Sequence, residues 1–161
     1  MKGLFLFRLK MLPFALLALA SFAWAAGSAS ESGAGAATRR LEEHKAKAEK
    51  MAEHERAKIY AEICNDLAEI ATEEFRSDNE AKAGATLKEI VSYSEKSTAA
   101  ALVKGKHIKQ AEILLRRCSH ELDELAHTLG VDEQKPVLDT MHSLEQQRDR
   151  LMSEMFGAKK K

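Results

Sequence analysis

Helix-breaking residues are nearly absent from residues 38–157, and this constrains the fold more than any other feature of the sequence. The segment holds one proline, Pro136, and its internal glycines are Gly84, Gly105 and Gly130. Alanine, leucine, glutamate, lysine and arginine, which favour helices, dominate it. No stretch alternates apolar and polar residues as a half-buried strand would. The sequence therefore predicts an all-α domain.

Apolar residues recur at intervals of three and four in four segments, and each segment predicts one helix. The predicted helices cover residues 38 to about 76, 77 to about 104 and about 106 to 129, and the fourth begins after Asp132 or Lys135 and ends at Gly157. Short connections favour an up-down bundle of three to four helices with antiparallel neighbours and a long first helix. Because the first half of that helix is nearly polar all round, we expect it to protrude or pair weakly. A three-helix bundle with the first helix standing apart is the alternative.

Residues with special backbone preferences mark the predicted helix ends. Ser77 and Glu80 have the spacing of a capping box, in which each side chain bonds a free amide at a helix start. Gly105 is expected to break the second helix, and Gly130 to form a left-handed cap after the third. Pro136 fits the first turn of the fourth helix, where a missing amide hydrogen costs no bond.

The first 25 residues have the features of a secretory signal peptide in the usual order. Basic residues, of which the last is Lys10, come before the apolar run 11–23. Small side chains flank Trp24, at the positions that signal peptidase requires before a cut at Ala26. We therefore predict an exported protein, either periplasmic or secreted. The apolar run is shorter than the ~20 residues that cross a bilayer, so no membrane span is expected after cleavage.

The rest of the chain divides by composition. Residues 26–37 are mostly glycine, alanine and serine and predict a flexible leader, 38–157 form the helical domain, and 158–161 are a basic tail. Cleavage lowers the number of lysines and arginines from 25 to 22, against 25 acidic residues. Such a chain has no basic field to gather phosphates, so nucleic acid is not an expected partner.

Two cysteines, Cys64 and Cys118, fall within predicted apolar stripes. In an oxidising compartment they can form a disulfide, and in the other interpretation they are buried free thiols that behave as small apolar residues. Both interpretations stay open from the sequence. No C-x-x-C motif accompanies them, which argues against a thiol oxidoreductase.

Histidines and carboxylates provide one candidate metal site. Glu124 and His127 have the Glu-x-x-His spacing of metal-binding helical bundles, and His120 lies four residues before Glu124, with His142 as a further candidate. At about 100° per residue, however, the first three point away from the apolar position Leu122 and toward solvent. The preferred prediction is therefore no metal and no cofactor, and a surface zinc or nickel site is the alternative.

Catalytic motifs are missing, and the carboxylates lie among lysines and arginines as on solvated helix faces, so we do not expect an enzyme. The favoured hypothesis is an exported, non-enzymatic helical bundle that acts as a protein-interaction or structural, chaperone-like module of the cell envelope. Met141, Met152 and Met155 would form an adaptable surface for a protein partner or a second copy, and the first helix a short coiled coil. A metal-binding or metal-sensing bundle is the alternative.

Overall fold

The computed structural model describes residues 33–157, with only the backbone of Ala34. The regular secondary structure in this range is helical, which confirms the predicted all-α class. The elements are α1 (Gly33–Lys50), a 3₁₀ turn (Glu53–Glu55), α2 (Ala57–Arg76), α3 (Glu80–Lys104), α4 (Ile108–Ala126) and α5 (Val131–Gly157). Five α-helices thus replace the predicted three to four. The predicted signal peptide and tail lie outside the described residues, and α1 begins inside the segment predicted as a flexible leader.

The predicted long first helix is in fact two helices. The chain folds back between Lys50 and Ala57 through the 3₁₀ turn, although neither glycine nor proline marks this point. Arg56 stabilises the bend because its Nε donates a hydrogen bond to the carbonyl of Met51 at 2.8 Å, where α1 has ended. Leu41 and Ala48 become buried against the rest of the protein. The expectation that this polar half would protrude was therefore wrong.

Charged groups join α1 to α2. Arg40 donates hydrogen bonds to Asp66 at 3.0 Å and to Glu69 at 2.6 Å. On the next turn of α1, His44 Nδ1 lies 2.6 Å from the other oxygen of Asp66, whose side chain is almost fully buried. The hydrogen bonds from Arg40 to Asp66 and Glu69 raise the pKa of its guanidinium. A helix that is polar on most sides thus packs by pairing its charges.

The other four helices form two antiparallel hairpins, α2–α3 and α4–α5. In the first hairpin, Ser97 on α3 donates a hydrogen bond to the carbonyl of Ala57 at the start of α2. In the second, Arg148 on α5 binds the buried carboxylate of Glu112 on α4 at 3.1 Å.

The two hairpins stack side by side, with α2 against α4 and α3 against α5. The amide of Asn65 on α2 donates to the carbonyl of Leu114 on α4, and nearer the C-terminal ends Glu73 and Thr128 line one cleft. Neighbours α2 and α4 therefore run parallel. The bundle-like packing agrees with the prediction, but the strictly antiparallel order does not.

The core lies where the hairpins meet. Each of the four helices contributes fully buried aliphatic side chains. The largest of these are Ile59, Ile63, Leu87, Ile90, Leu115, Leu122, Leu144 and Leu151. Burying one such side chain stabilises the fold by roughly 1.5–3 kcal/mol.

Two helix ends differ from the predictions in how the chain turns. Ser77 ends α2 instead of starting α3, because its amide donates to the carbonyl of Glu73. Asp78 then adopts a left-handed backbone with φ of 54°, and Asn79 precedes α3 without a side-chain cap. The capping box is therefore not formed. Gly105 does break the chain after α3, with φ of 66°.

Gly130 lies at the start of α5, whereas the sequence predicted that it would cap the end of α4. Its backbone is not left-handed, and its amide donates to the Glu133 side chain at 2.9 Å while its carbonyl accepts from the amides of Glu133 and Gln134. Gly130 therefore starts α5 rather than capping α4. Because α5 begins at Val131, Pro136 lies inside the helix, beyond its first turn.

Candidate functional site

The outer face of α4 carries most of the predicted metal ligands. His120 Nδ1 lies 3.8 Å from Glu124 Oε1, and both side chains are 72% exposed. His127 lies beside Asp123 instead, and His142 pairs within α5. Among residues 33–157, no three histidine, cysteine or carboxylate side chains are arranged to hold a metal ion. The structure brings His120 and Glu124 together and leaves His127 and His142 apart.

Glu121 is a perturbed carboxylate next to this pair that sequence reasoning missed. It lines a cleft between α4 and α2 together with Glu69 and Glu124. Partial burial and then the charge of Glu69 raise the pKa of Glu121, while Arg117 lowers it. Glu124 on the same helix also raises this pKa and was a local signal, but the burial and the charge of Glu69 come from packing against another helix. Arg40 binds Glu69, so the cleft is a balanced charged region rather than a cation site.

The two cysteines are buried free thiols in contact between α2 and α4. The Cys118 thiol donates to the backbone carbonyl of Cys64 at 3.4 Å, and the Cys64 thiol donates to the carbonyl of Ile90 at 3.6 Å. Burial raises the pKa of both thiols. The burial of both cysteines that the sequence predicted is confirmed, and the Cys118 side chain contacts the backbone of Cys64.

An open groove of about 570 Å³ runs between α3 and α5. Small residues, including Gly84 and Ala85, form one wall, and the ring of Pro136 lies in the other. Charged groups are confined to single side chains such as Lys88 and Asp139. The groove has the shape of a shallow contact surface and holds no cluster of reactive groups.

The outer face of α5 carries most of the exposed large apolar residues in the described part of the chain. Of six such residues, four lie on this helix: Val131, Leu138, Met152 and Phe156. Leu144 and Leu151 on the same helix are completely buried. Around the helix axis, Leu138 lies about 120° from Leu144 and Met152 about 100° from Leu151. Helix α5 is therefore apolar on two sides, and only one of them contacts the core.

Sequence reasoning found part of this face. Met152 is exposed as the hypothesis of a methionine surface required, but Met141 and Met155 are half-buried against the core. Val131 and Phe156 were missed. The seven-residue spacing from Val131 to Leu138 was the available signal, and α5 was instead interpreted as having one apolar line.

Comparisons with known proteins provide no relative. No protein-family model matches the chain, and no curated protein or solved structure matches it. Within the described residues, none of the helices is both long and apolar enough to cross a membrane.

Proposed function

We propose that this chain is an exported, non-enzymatic protein of the cell envelope that binds a helix of another protein through the outer face of α5. The observation that carries the proposal is the line of exposed apolar residues on α5, at Val131, Leu138, Met152 and Phe156. Single exposed apolar residues are ordinary on protein surfaces, whereas four on one helix form a line.

The spacing of the line favours a helical partner. Val131 and Leu138 are seven residues apart, and Met152 lies two heptads beyond Leu138. Side chains at this period stay on one face of a helix and pack against a second helix that presents the same spacing. Glu145 occupies the remaining heptad position and is exposed, so a basic or amide side chain of the partner would face it.

The use of buried polar groups in packing supports a non-enzymatic role. Glu112 binds Arg148, and Asp66 binds Arg40 and His44. Carboxylates that hold helices together in this way are committed to the fold and are not positioned to act on a substrate. The signal-peptide features of residues 1–25 support export.

Site-specific crosslinking in the native host tests the surface. A photoreactive residue placed at Leu138 or Met152 should crosslink to one discrete protein, identified by mass spectrometry. The matched control is Val103, which is exposed and apolar but lies at the end of α3. The double variant Leu138→Asp with Met152→Asp should abolish the complex and leave the melting temperature nearly unchanged, since both residues are exposed.

Equal crosslinking at Val103 and Leu138, or none at either, would overturn the interaction proposal. If the crosslinked protein is a second copy of this chain, α5 is a homodimer contact. The mass of the isolated chain tests export separately, because a start at Ala26 is the expected result and a start at Met1 the contrary one.

The metal-binding alternative depends on the close pair His120 and Glu124. Native mass spectrometry of protein isolated without chelator should show one bound metal ion if it is correct, and His120→Ala should remove it. A metal-free spectrum would leave the interaction proposal standing.

A further inference from the structure

The chain has two cysteines, and the fold brings them together at the contact between its two hairpins. Cys64 and Cys118 are 54 positions apart in sequence, yet the Cys118 sulfur lies 3.4 Å from the backbone oxygen of Cys64. Both side chains are fully buried on helices that run side by side.

We propose that Cys64 and Cys118 form an intramolecular disulfide when the protein folds in an oxidising compartment. The inference rests on the export part of the proposed function and is independent of the partner surface on α5. The Cys64 thiol now points to the carbonyl of Ile90 on α3. The bond requires this side chain to rotate about χ1 toward Cys118, whose sulfur already contacts the Cys64 carbonyl.

The bond requires an oxidant, and a donor disulfide supplies it, either in a thiol oxidoreductase or in a small molecule such as oxidised glutathione. One cysteine thiolate attacks the donor, forms a mixed disulfide and releases one donor thiolate. The other cysteine thiolate attacks the mixed disulfide at the sulfur of the first cysteine and releases the second donor thiolate. Two electrons pass to the donor, and the two protons of Cys64 and Cys118 end on its released thiols.

Burial determines when this reaction can occur. Both thiols are fully buried in the core, out of reach of a donor, and burial also raises their pKa, so the attacking thiolate is scarce in the folded protein. The bond therefore forms before α2 and α4 have closed. Once formed, it is shielded from reductant by the same packing.

The disulfide would link hairpin α2–α3 to hairpin α4–α5. Closing a loop of 54 positions restricts the unfolded chain and lowers the unfolding equilibrium constant by about 10³-fold in the chain-entropy model. The link stabilises the packing of α2 against α4, which belong to different hairpins.

Mass spectrometry of the protein isolated from its host without reductant, denatured in N-ethylmaleimide, tests the bond directly. The expected result is a chain without adducts and about 2 Da lighter than the reduced chain. Two maleimide adducts would overturn the proposal, whatever the partner experiment shows. A bridged chain that still begins at Met1 would support the bond and remove the cleavage proposal.

Refolding in a glutathione redox buffer tests whether the fold permits the bond, independently of the compartment in which the protein is found. The unfolded reduced protein should give the bridged form with native helical circular dichroism and a higher urea midpoint than the protein refolded with excess reductant. Cys64→Ser and Cys118→Ser serve as matched controls, since each keeps one thiol and should show equal midpoints in both buffers. A bridged wild-type form with a lower midpoint than the reduced form would contradict the proposed geometry.

Discussion

Helix α2 contacts its neighbours in two different ways. Toward α1, its contacts are made by carboxylates, with Asp66 and Glu69 bound to Arg40 and His44. Toward α3 and α4, its contacts are made mainly by buried aliphatic and small side chains, with single hydrogen bonds such as that from Asn65 to the Leu114 carbonyl. We call these two regions the charged seam and the core. An ion pair at a partly exposed seam contributes less net free energy than the several aliphatic side chains that each helix buries in the core.

The comparison shows that one helix can be an essential core element and also a support for a weakly held neighbour. Helix α1 buries Leu41 and Ala48 but no large side chain beyond Leu41. We therefore expect α1 to open at a lower free energy than the four helices of the hairpins. Four substitutions test this difference.

The largest effect is expected in the core. Leu122→Ala removes a fully buried side chain of α4 and should lower the free energy of unfolding by about 3 kcal/mol, since the surrounding helices cannot collapse into the cavity. Urea unfolding followed by circular dichroism measures it. Ile113→Ala on the exposed side of the same helix is the control and should cost less than about 1 kcal/mol. Equal losses would show that the core does not dominate stability.

In the charged seam, Asp66→Ala leaves Arg40 and His44 without their shared partner. The expected loss is about 2 kcal/mol, and hydrogen exchange should become faster in α1 while α3, α4 and α5 keep their protection. The control is Glu42→Ala, since Glu42 is an exposed acid of α1. Unchanged exchange in α1 would show that Leu41 and Ala48, and not the ion pairs, hold the helix.

Substitution at the bend between α1 and α2 should lower the free energy of unfolding less than the loss of Asp66. Arg56→Ala removes the hydrogen bonds to the carbonyls of Met51 and Glu49, at 2.8 and 3.5 Å, and should cost about 1 kcal/mol. Arg56→Lys keeps the charge but loses the forked geometry, so it should behave like the alanine variant. Thermal unfolding compares the two variants. A lysine variant as stable as the wild type would mean that a positive charge alone is enough to stabilise the bend.

The smallest effect is expected at Glu121, next to the charged seam. Its folded pKa is raised by burial and Glu69, so the folded state holds the proton more tightly than the unfolded state. Stability is then lost as pH rises through that pKa. Glu121→Gln should raise the melting temperature at pH 7 and not at pH 4. The gain in stability should be less than about 1 kcal/mol, because the carboxyl is only partly buried. Glu154→Gln, at an exposed carboxylate of α5, is the control, and a gain at pH 4 would contradict this explanation.

Local signals predicted the hairpin helices but not the bend. The apolar period marked most of α2, α3, α4 and α5, and Gly105 marked the end of α3 correctly. The bend at residues 51–56 has no glycine or proline, so a continuous helix was the natural interpretation. The chain bends there because α1 can cover α2 and pair its charges, and that gain depends on residues 22 to 29 positions away.

The sequence likewise predicted only part of the candidate contact surface. Sequence patterns placed Met152 on a possible contact surface and predicted that His120 and Glu124 would face solvent, where the structure has them. They did not indicate that Leu138 is exposed, because a helix with apolar residues on two sides has the same composition as one with a broad buried stripe. Which side is buried depends on where α3 and α4 lie.

The amino-acid sequence by itself determined the all-α class and most of the residues that fill the core, since both follow from helix propensity and from apolar spacing along one chain. Only the tertiary structure decided that α1 folds back, that α2 and α4 run parallel, and that Cys64 meets Cys118. These are relations between segments distant in sequence. They are set by the combined packing of several helices, and no local pattern encodes them.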